Sequence, residues 1–314
     1  MTQAPTPSAD TVRRLVRSLV ADGLAAGAGP DVRPVAEGGE HSTWWVGTRH
    51  VLRLAQDRDA SVLQRRELRL RDLVRPHIGV PVPVSVAHGE WASGLSCTLD
   101  TRLPGVSGEK QAVSAVGEAD LAGLLTGLRE VPVRQAEALG VPRAAPRSLE
   151  ELRTAAAHAA EELAAAEEFD PARLAQLTAP AALQLAAQPA AAILVHHDLK
   201  GEHLMVSADG RVRGVLDWAD AVIGDPAEDI AGLAIAVGAP AAVRAATLAG
   251  YGPRPCLRGL WLSRCDTVIR LADRLHGRRD DSPVPLLETQ LRRAWEAILL
   301  ERVTDLRDGL DETP

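Results

Sequence analysis

The 314-residue chain is short of cysteine, of lysine and of uninterrupted apolar sequence. Its three cysteines, Cys97, Cys256 and Cys265, are odd in number, far apart and without a Cys-x-x-Cys pair. That pattern argues against a disulfide framework and a zinc ribbon, and makes a reducing cytoplasm the expected home. Lysine occurs only at positions 110 and 200. The net charge is −7 and the charges are interspersed without a basic stripe, so a nucleic-acid partner is not expected. The most apolar stretch, "IAGLAIAVGAPAAV", is broken by Gly and Pro well short of a membrane span, and the start "MTQAPTPSAD" lacks a charged region followed by an apolar core. Neither membrane insertion nor export is expected. There is no internal repeat.

What is present is 46% apolar residues, enough to bury a core in one large or two ordinary domains. "TVRRLVRSLVADGL" places Val12, Leu15, Val16, Leu19 and Val20 at helical spacing, with Asp10 or Thr11 as the N-cap. The period then changes. "DVRPVAE", "STWWVG" and "HVLRLA" are short, rich in β-branched or aromatic residues and separated by "GGEH" and "GTR", which predicts three antiparallel strands. "DASVLQRRELRLRDLVRPH" returns to helical spacing through Val62, Leu63, Leu70, Leu73 and Val74, ending before Pro76. "VPVPVSVAHGEW" and "LSCTLDTRL" supply two more strands. After "LPG" the chain is mostly helical, with Ala- and Leu-rich patterns over 114–130, 148–168 and 171–187. Strands followed by helices predict an α+β protein of two lobes, 1–103 and 104–314, with a cleft between them.

Residues 194–233, "LVHHDLKGEHLMVSADGRVRGVLDWADAVIGDPAEDIAGL", interrupt the helices. One apolar run delivers Asp198 into a loop, a hairpin turns at Ala208-Asp209-Gly210, and "GVLDW" delivers Asp217 into a second loop about twenty residues later. Two strand-end carboxylates are thereby brought close together. Phosphoryl transfer needs such a pair: one carboxylate orients the attacking hydroxyl and accepts its proton, and another holds metal bridging the nucleotide phosphates. Asp198 fits the first role and Asp217 the second, while Lys200 could offset charge on the transferred group.

His196-His197-Asp198, His203, Leu216-Asp217-Trp218 and Gly224-Asp225-Pro226 with Asp229 together resemble the motifs of the aminoglycoside and macrolide phosphotransferases, antibiotic kinases of the bilobal protein-kinase-like fold. The resemblance covers the chain after its first ten or so residues. It implies an N-terminal antiparallel-sheet lobe with one main helix, which binds ATP or GTP, and a larger helical lobe that carries the catalytic loops. It also implies Mg²⁺ and a hydroxylated small-molecule acceptor, an antibiotic. In some members the position five after the catalytic Asp is itself His, so His203 and Asp217 are the implied metal ligands. Magnesium prefers oxygen and imidazole suits softer ions, so a second reading of His203 stands, as a hydrogen-bonding loop residue or a contact through water.

For the nucleotide, residues 1–109 contain no lysine. Arg53 in "HVLRLA" is therefore the expected phosphate contact, paired with Glu67 of the following helix. A surface arginine on a strand and a solvated Glu67 among Arg65, Arg66, Arg69 and Arg71 are the plainer alternatives. In "EGGEHSTWW", Gly38 and Gly39 permit close approach of backbone to phosphate and Ser42 is a candidate hydroxyl donor, although no Gly-x-Gly-x-x-Gly is present. The backbone of Thr101 to Leu103, in "DTRLPG", is expected to meet the base.

Asp225, Pro226 and Asp229 read as architecture, an Asp-Pro turn that opens a helix with Asp229 in its first turn, capping free amides and favouring the helix dipole; the resemblance implies that this element braces the catalytic loops, and His196 reads as an anchor of its loop. Three rivals remain. A zinc site would use His196, His197, Asp198 and His203, but adjacent histidines on extended backbone point apart. A protein kinase would carry Phe-Gly after Asp217 and a later Ala-Pro-Glu, and neither is present. A binding module without catalysis, or a kinase of a metabolic alcohol, amine or sugar, shares every motif quoted. The acceptor is expected between the catalytic loops and the helices of residues 114–190 and 255–305. A modest acidic excess in the first part of that region would suit a cationic aminoglycoside, a solvated helix face explains it equally well, and a macrolide, nucleoside or peptide antibiotic stays open.

Overall fold

Period-two alternation decides what the first sheet shows to each side. In the structure, a computed structural model, residues 6–20, 31–35, 41–188, 192–278 and 281–298 are described. Strands β1 (Val32–Pro34), β2 (His41–Val46), β3 (His50–Ala55), β4 (Ser85–Ala92) and β5 (Leu95–Thr101) form an antiparallel sheet in the order β1-β2-β3-β5-β4. Trp44 pairs with Leu52, Leu52 with Leu99 and Leu54 with Cys97, so one face is apolar. It packs on Val12 and Val16 of helix α1 (Ala9–Leu19). The other face is polar: Thr43, Arg53 and Thr98 form one row, and Trp45, Val51 and Asp100 the next.

Helix α2 (Arg58–Val74), capped by Asp57 on the Ala60 amide at 2.7 Å, lies against this polar face. Its buried stripe is correspondingly polar: Ser61, Gln64, Glu67 and Arg71 accompany Ala60, Leu70 and Val74. Ser96 donates to Gln64 Oε1 at 2.7 Å, and Gln64 donates to the Arg53 carbonyl at 3.2 Å. The expected apolar stripe is thus corrected, since Val62 is 61% exposed. The α1 cap is corrected too. Ser8, in extended backbone, accepts from the Thr11 amide, while Asp10 lies inside the helix and pairs with Arg13.

Beyond the sheet come α3 (Ala115–Glu130), α4 (Val133–Ala138), α5 (Leu149–Ala165), α6 (Ala179–Gln184), α7 (Ala227–Val237), α8 (Ala239–Leu248), α9 (Pro253–Leu275) and α10 (Val284–Ala294). The helix expected over 171–187 is broken into a 3₁₀ turn, Pro171–Gln176, and α6, which restarts at a Thr178 cap. Pro180 lacks the amide needed to continue the first segment. Between the helices, β6 (Val106–Ser107) pairs with β8 (Leu204–Val206), which pairs with β9 (Val212–Val215), and β7 (Ile193–Val195) pairs with β10 (Val222–Gly224). At Gly105, φ is +107° and an added Cβ would meet the Val206 backbone, so only glycine carries the chain from β5 into β6. Two apolar clusters fill this part, one around Trp218, Leu233 and Leu260, the other joining α5, α9 and α10 through Leu163, Val268 and Leu291.

Candidate active site

The short ladders bring the two acidic loops together. Leu204 of β8 faces Val215 of β9, so the residues just outside the pair, His203 and Leu216, are neighbours. The Leu216 amide donates to the His203 carbonyl at 2.9 Å. His203 Nε2 consequently lies 3.7 Å from Asp217 Oδ2. On the other side, His203 Nδ1 is 2.8 Å from the Asp198 carbonyl and 3.4 Å from its Oδ2. A carbonyl only accepts, so Nδ1 carries a proton, and Nε2 is the ring nitrogen that faces Asp217. Lys200 Nζ sits 2.9 Å from Asp198 Oδ1.

Both loops are held in unusual backbone. His197 and Asp217 have φ of +71° and +58°, the left-handed region that non-glycine residues seldom enter. Asp229 of α7 explains the first case. Its carboxylate accepts the His196 amide at 2.9 Å and the His197 amide at 2.8 Å. The Asp-Pro turn opens α7 as expected, Asp225 accepting the Ala227 amide at 3.0 Å, and Asp229 in the first turn braces the loop of Asp198. Desolvation pushes the Asp229 carboxyl up to about 7 against the pull of those two amides.

His196 is fully buried, its ring edge-on to Trp218 with centroids 4.6 Å apart. Nε2 donates to the Leu216 carbonyl at 3.0 Å and Nδ1 accepts the Asp198 amide at 3.3 Å. Both bonds belong to the neutral ring. Burial, with the charge of His203, lowers its pKa to about 4. His196 is an anchor, as the sequence predicts. Its ring nitrogens are spent, and among the described residues no group of three or more His, Cys, Asp or Glu forms a closed metal site.

The cleft between sheet and loops has a volume of about 450 Å³. Arg53 reaches into it from β3, with Nη1 2.8 and 2.7 Å from the two Glu67 oxygens and Nη2 3.8 Å from Asp217 Oδ1. Glu67 is 1% exposed, so the solvated alternative for it does not hold. Burial works against the Arg53 charge, but Glu67, Asp217 and Asp100 outweigh it and raise its pKa. Burial pushes Asp217 up in turn, and Arg53 and His203 more than reverse this, holding it below the ordinary carboxylate range. Arg66 of α2 donates to the Ala219 carbonyl, so the helix that carries Glu67 also grips the Asp217 loop.

Thr101 and Leu103 line the cleft, with Val35, Val51, Met205 and Leu216 as apolar walls. Ser42 is not brought to it. It pairs with Leu54 on the opposite face of the sheet and accepts the Trp44 indole at 3.0 Å. Gly38 and Gly39 lie outside the described residues. Sequence reasoning missed the buried pair of Arg71 and Asp100, 3.1 and 3.2 Å apart through both guanidinium branches. The signals were there: Arg71 follows Glu67 by one helical turn, and Asp100 follows Thr98 by one strand repeat.

A sequence profile described as the phosphotransferase enzyme family matches residues 31–262, and the chain belongs to that family. Among solved structures, the fold resembles the GDP complex of wild-type aminoglycoside 2'-phosphotransferase-IIIa, with a TM-score of 0.64 at 19% identity, over 90% of this chain and 98% of that one. Macrolide 2'-phosphotransferase MphH from Brachybacterium faecium, as apoenzyme, gives 0.58 at 22% identity over 92% and 98%. A 41-residue stretch is 44% identical to the uncharacterized protein YcbJ of Bacillus subtilis (strain 168) and spans 13% of each chain. The mixed fold, an antiparallel sheet followed by a helical part, is the bilobal kinase-like architecture of these phosphotransferases.

Proposed function

We propose that the protein transfers the γ-phosphoryl group of a nucleoside triphosphate, ATP or GTP, to a hydroxyl of a small molecule, and that the acceptor is an antibiotic. The observation that carries this reading is the convergence of Asp198, His203, Asp217 and Arg53 at one cleft. Asp198 orients the acceptor hydroxyl and takes its proton. The freed oxygen attacks the γ-phosphorus as the bond to the β-bridging oxygen breaks. Arg53, held by Glu67, meets the phosphates, and Lys200 offsets charge on the group in transfer.

The His203–Asp217 gap fits a divalent cation. An imidazole nitrogen and a carboxylate oxygen face each other at 3.7 Å. His203 and Asp217 would hold a Mg²⁺ there, and the ion would supply positive charge against that of the nucleotide phosphates. The antibiotic assignment draws support from relatives of similar fold, one solved with GDP and kanamycin and another with streptomycin and ATP. The test is mass spectrometry of hydroxyl-bearing antibiotics incubated with the protein, Mg²⁺ and ATP or GTP. One added phosphoryl group on one class, absent with Asp198→Asn, is expected. Nucleotide hydrolysed or bound with no antibiotic modified would move the acceptor to a metabolic alcohol, amine or sugar.

A further inference from the structure

At the end of the β7–β10 pair remote from the acidic loops, where Ile193 pairs with Gly224, lies a second cavity of about 320 Å³. Arg129 of α3 lines it, with Arg254 and Arg258 of α9 and, from the turn that opens α7, Asp225 and Pro226. Three guanidinium groups thus share the lining with one carboxylate, in a chain whose net charge is −7. None of the three arginines takes part in the phosphotransfer reading.

The carboxylate is already used. Asp225 Oδ2 accepts from Arg258 Nε at 2.5 Å, and Oδ1 accepts the Ala227 amide at 3.0 Å. Arg258, 2% exposed, spends its two other branches on the Leu185 and Arg147 carbonyls at 3.2 and 2.7 Å. That pair is closed and neutral. Arg129 and Arg254 are differently placed. Arg129 Nη1 donates to the Ala249 carbonyl at 2.7 Å and Arg254 Nη2 to the Ala186 carbonyl at 2.9 Å, and among the described residues neither meets a carboxylate. Those bonds fix the two side chains and leave most of their N–H groups unspent. The Arg129 guanidinium lies 5.0 Å over the ring of Tyr251, which also lines the cavity and whose hydroxyl has no hydrogen-bond partner among the described residues.

Two positive charges left at a concave wall attract an anion. The attraction is stronger than on a flat surface, because the apolar walls of Ile193, Pro226 and Pro255 concentrate the field. Carbonyls at the rim carry partial charge and do not cancel two whole charges. A phosphate group fits this excess, since it carries about −1.5 to −2 at pH 7 and its oxygens accept from guanidinium forks in pairs. A carboxylate brings half that charge. The cavity is roughly ten times the volume a water takes in the liquid, which leaves space for a small carbon skeleton beside the phosphate. We infer that this cavity binds a phosphate group, free or as a small monoester, through Arg129 and Arg254, with the Tyr251 hydroxyl as a further donor. It shares no lining residue with the nucleotide cleft, and the inference stands apart from the phosphotransfer reading.

Tyr251 is the only tyrosine of the chain, so 3-fluorotyrosine built into the full-length protein gives a single ¹⁹F resonance, placed in the cavity. The protein is titrated with inorganic phosphate and with glycerol 1-phosphate at constant ionic strength, with sodium chloride as the blank. A saturable shift with a Kd below about 10 mM is expected from at least one probe. Tighter binding of glycerol 1-phosphate would assign the site to an organic phosphate, and tighter binding of inorganic phosphate to the free anion. Arg129→Gln and Arg254→Gln are each expected to weaken binding at least about fivefold, and Arg13→Gln, on α1, by less than about twofold. Circular dichroism checks that the variants fold, and the wild-type series against chloride decides the question if one does not. The inference is overturned if chloride reproduces the shift, if neither probe saturates in that range, or if the Kd is unchanged by both cavity substitutions.

Discussion

His203 turns Nε2 toward Asp217 Oδ2 across 3.7 Å, because its Nδ1 proton is committed to the Asp198 carbonyl. An imidazole in place of an oxygen ligand shifts metal preference toward softer ions. His203→Asn is expected to keep part of the turnover with Mg²⁺ and to lower the ratio of Mn²⁺- to Mg²⁺-supported rates, measured on one acceptor at saturating nucleotide. A ratio unchanged by the substitution would remove His203 from the metal site.

Asp198→Asn is expected to lower turnover by about 10²–10⁴-fold, the usual range for loss of a positioned proton acceptor. Nucleotide affinity should stay within about threefold, since the role proposed for Asp198 is at the acceptor and not at the nucleotide. Single-turnover kinetics and nucleotide titration on the same preparation separate the two. Activity near wild type would sink the assignment of Asp198.

On α2, Glu67→Ala removes the bidentate partner of Arg53 and leaves its buried guanidinium only Asp217, at 3.8 Å, beside Arg71. Breaking a buried pair costs about 3–5 kcal/mol. Val62→Ala, on the exposed side of the same helix, is expected to change stability by less than about 0.5 kcal/mol. Urea denaturation of both variants checks the inversion of the helix, with its polar side inward. Equal costs would contradict it.

His196 and Asp229 make opposite contributions to stability against pH. The His196 pKa is depressed to about 4, so its contribution is full above the unfolded value and is lost as pH falls from about 6.5 toward 4. The Asp229 pKa is raised to about 7, so its contribution is full below about 4 and is lost as pH rises toward 7. Between these limits the two slopes oppose each other. On moving from pH 7 to pH 5, His196→Gln should gain Tm relative to wild type and Asp229→Asn should lose it. Thermal melts at both pH values test the signs, and parallel shifts of the two variants would contradict them.

The convergence of the two acidic loops is legible because their residues are contiguous: a short strand, Asp198, a turn and Asp217 can be read without knowing any distant partner. Arg53 and Glu67 were legible as a pair for the same kind of reason, a strand followed directly by a helix. The inner side of α2 was not. Ser61, Gln64 and Arg71 look like solvated residues until the sheet opposite is seen to be polar as well. The bracing by Asp229 comes from the resemblance and not from local pattern, since its partners lie 32 and 33 residues earlier. Ser42 failed for a simpler reason: it lies one residue out of phase with Thr43, which pairs with Arg53.

That phase makes the turn between β2 and β3, at Gly47-Thr48-Arg49, a position with a counting rule. A strand shows alternate residues to opposite sides, so a slip of one residue exchanges the two faces of the whole strand. One residue added on the β3 side of this turn without a compensating bulge would turn Arg53 toward α1 and put leucine side chains where phosphate is expected to bind. Two added residues would leave every side chain facing as before. Length variation among relatives should therefore be confined to the loop outside the Val46–His50 pair, or be absorbed by a bulge, although no residue of the turn touches the chemistry.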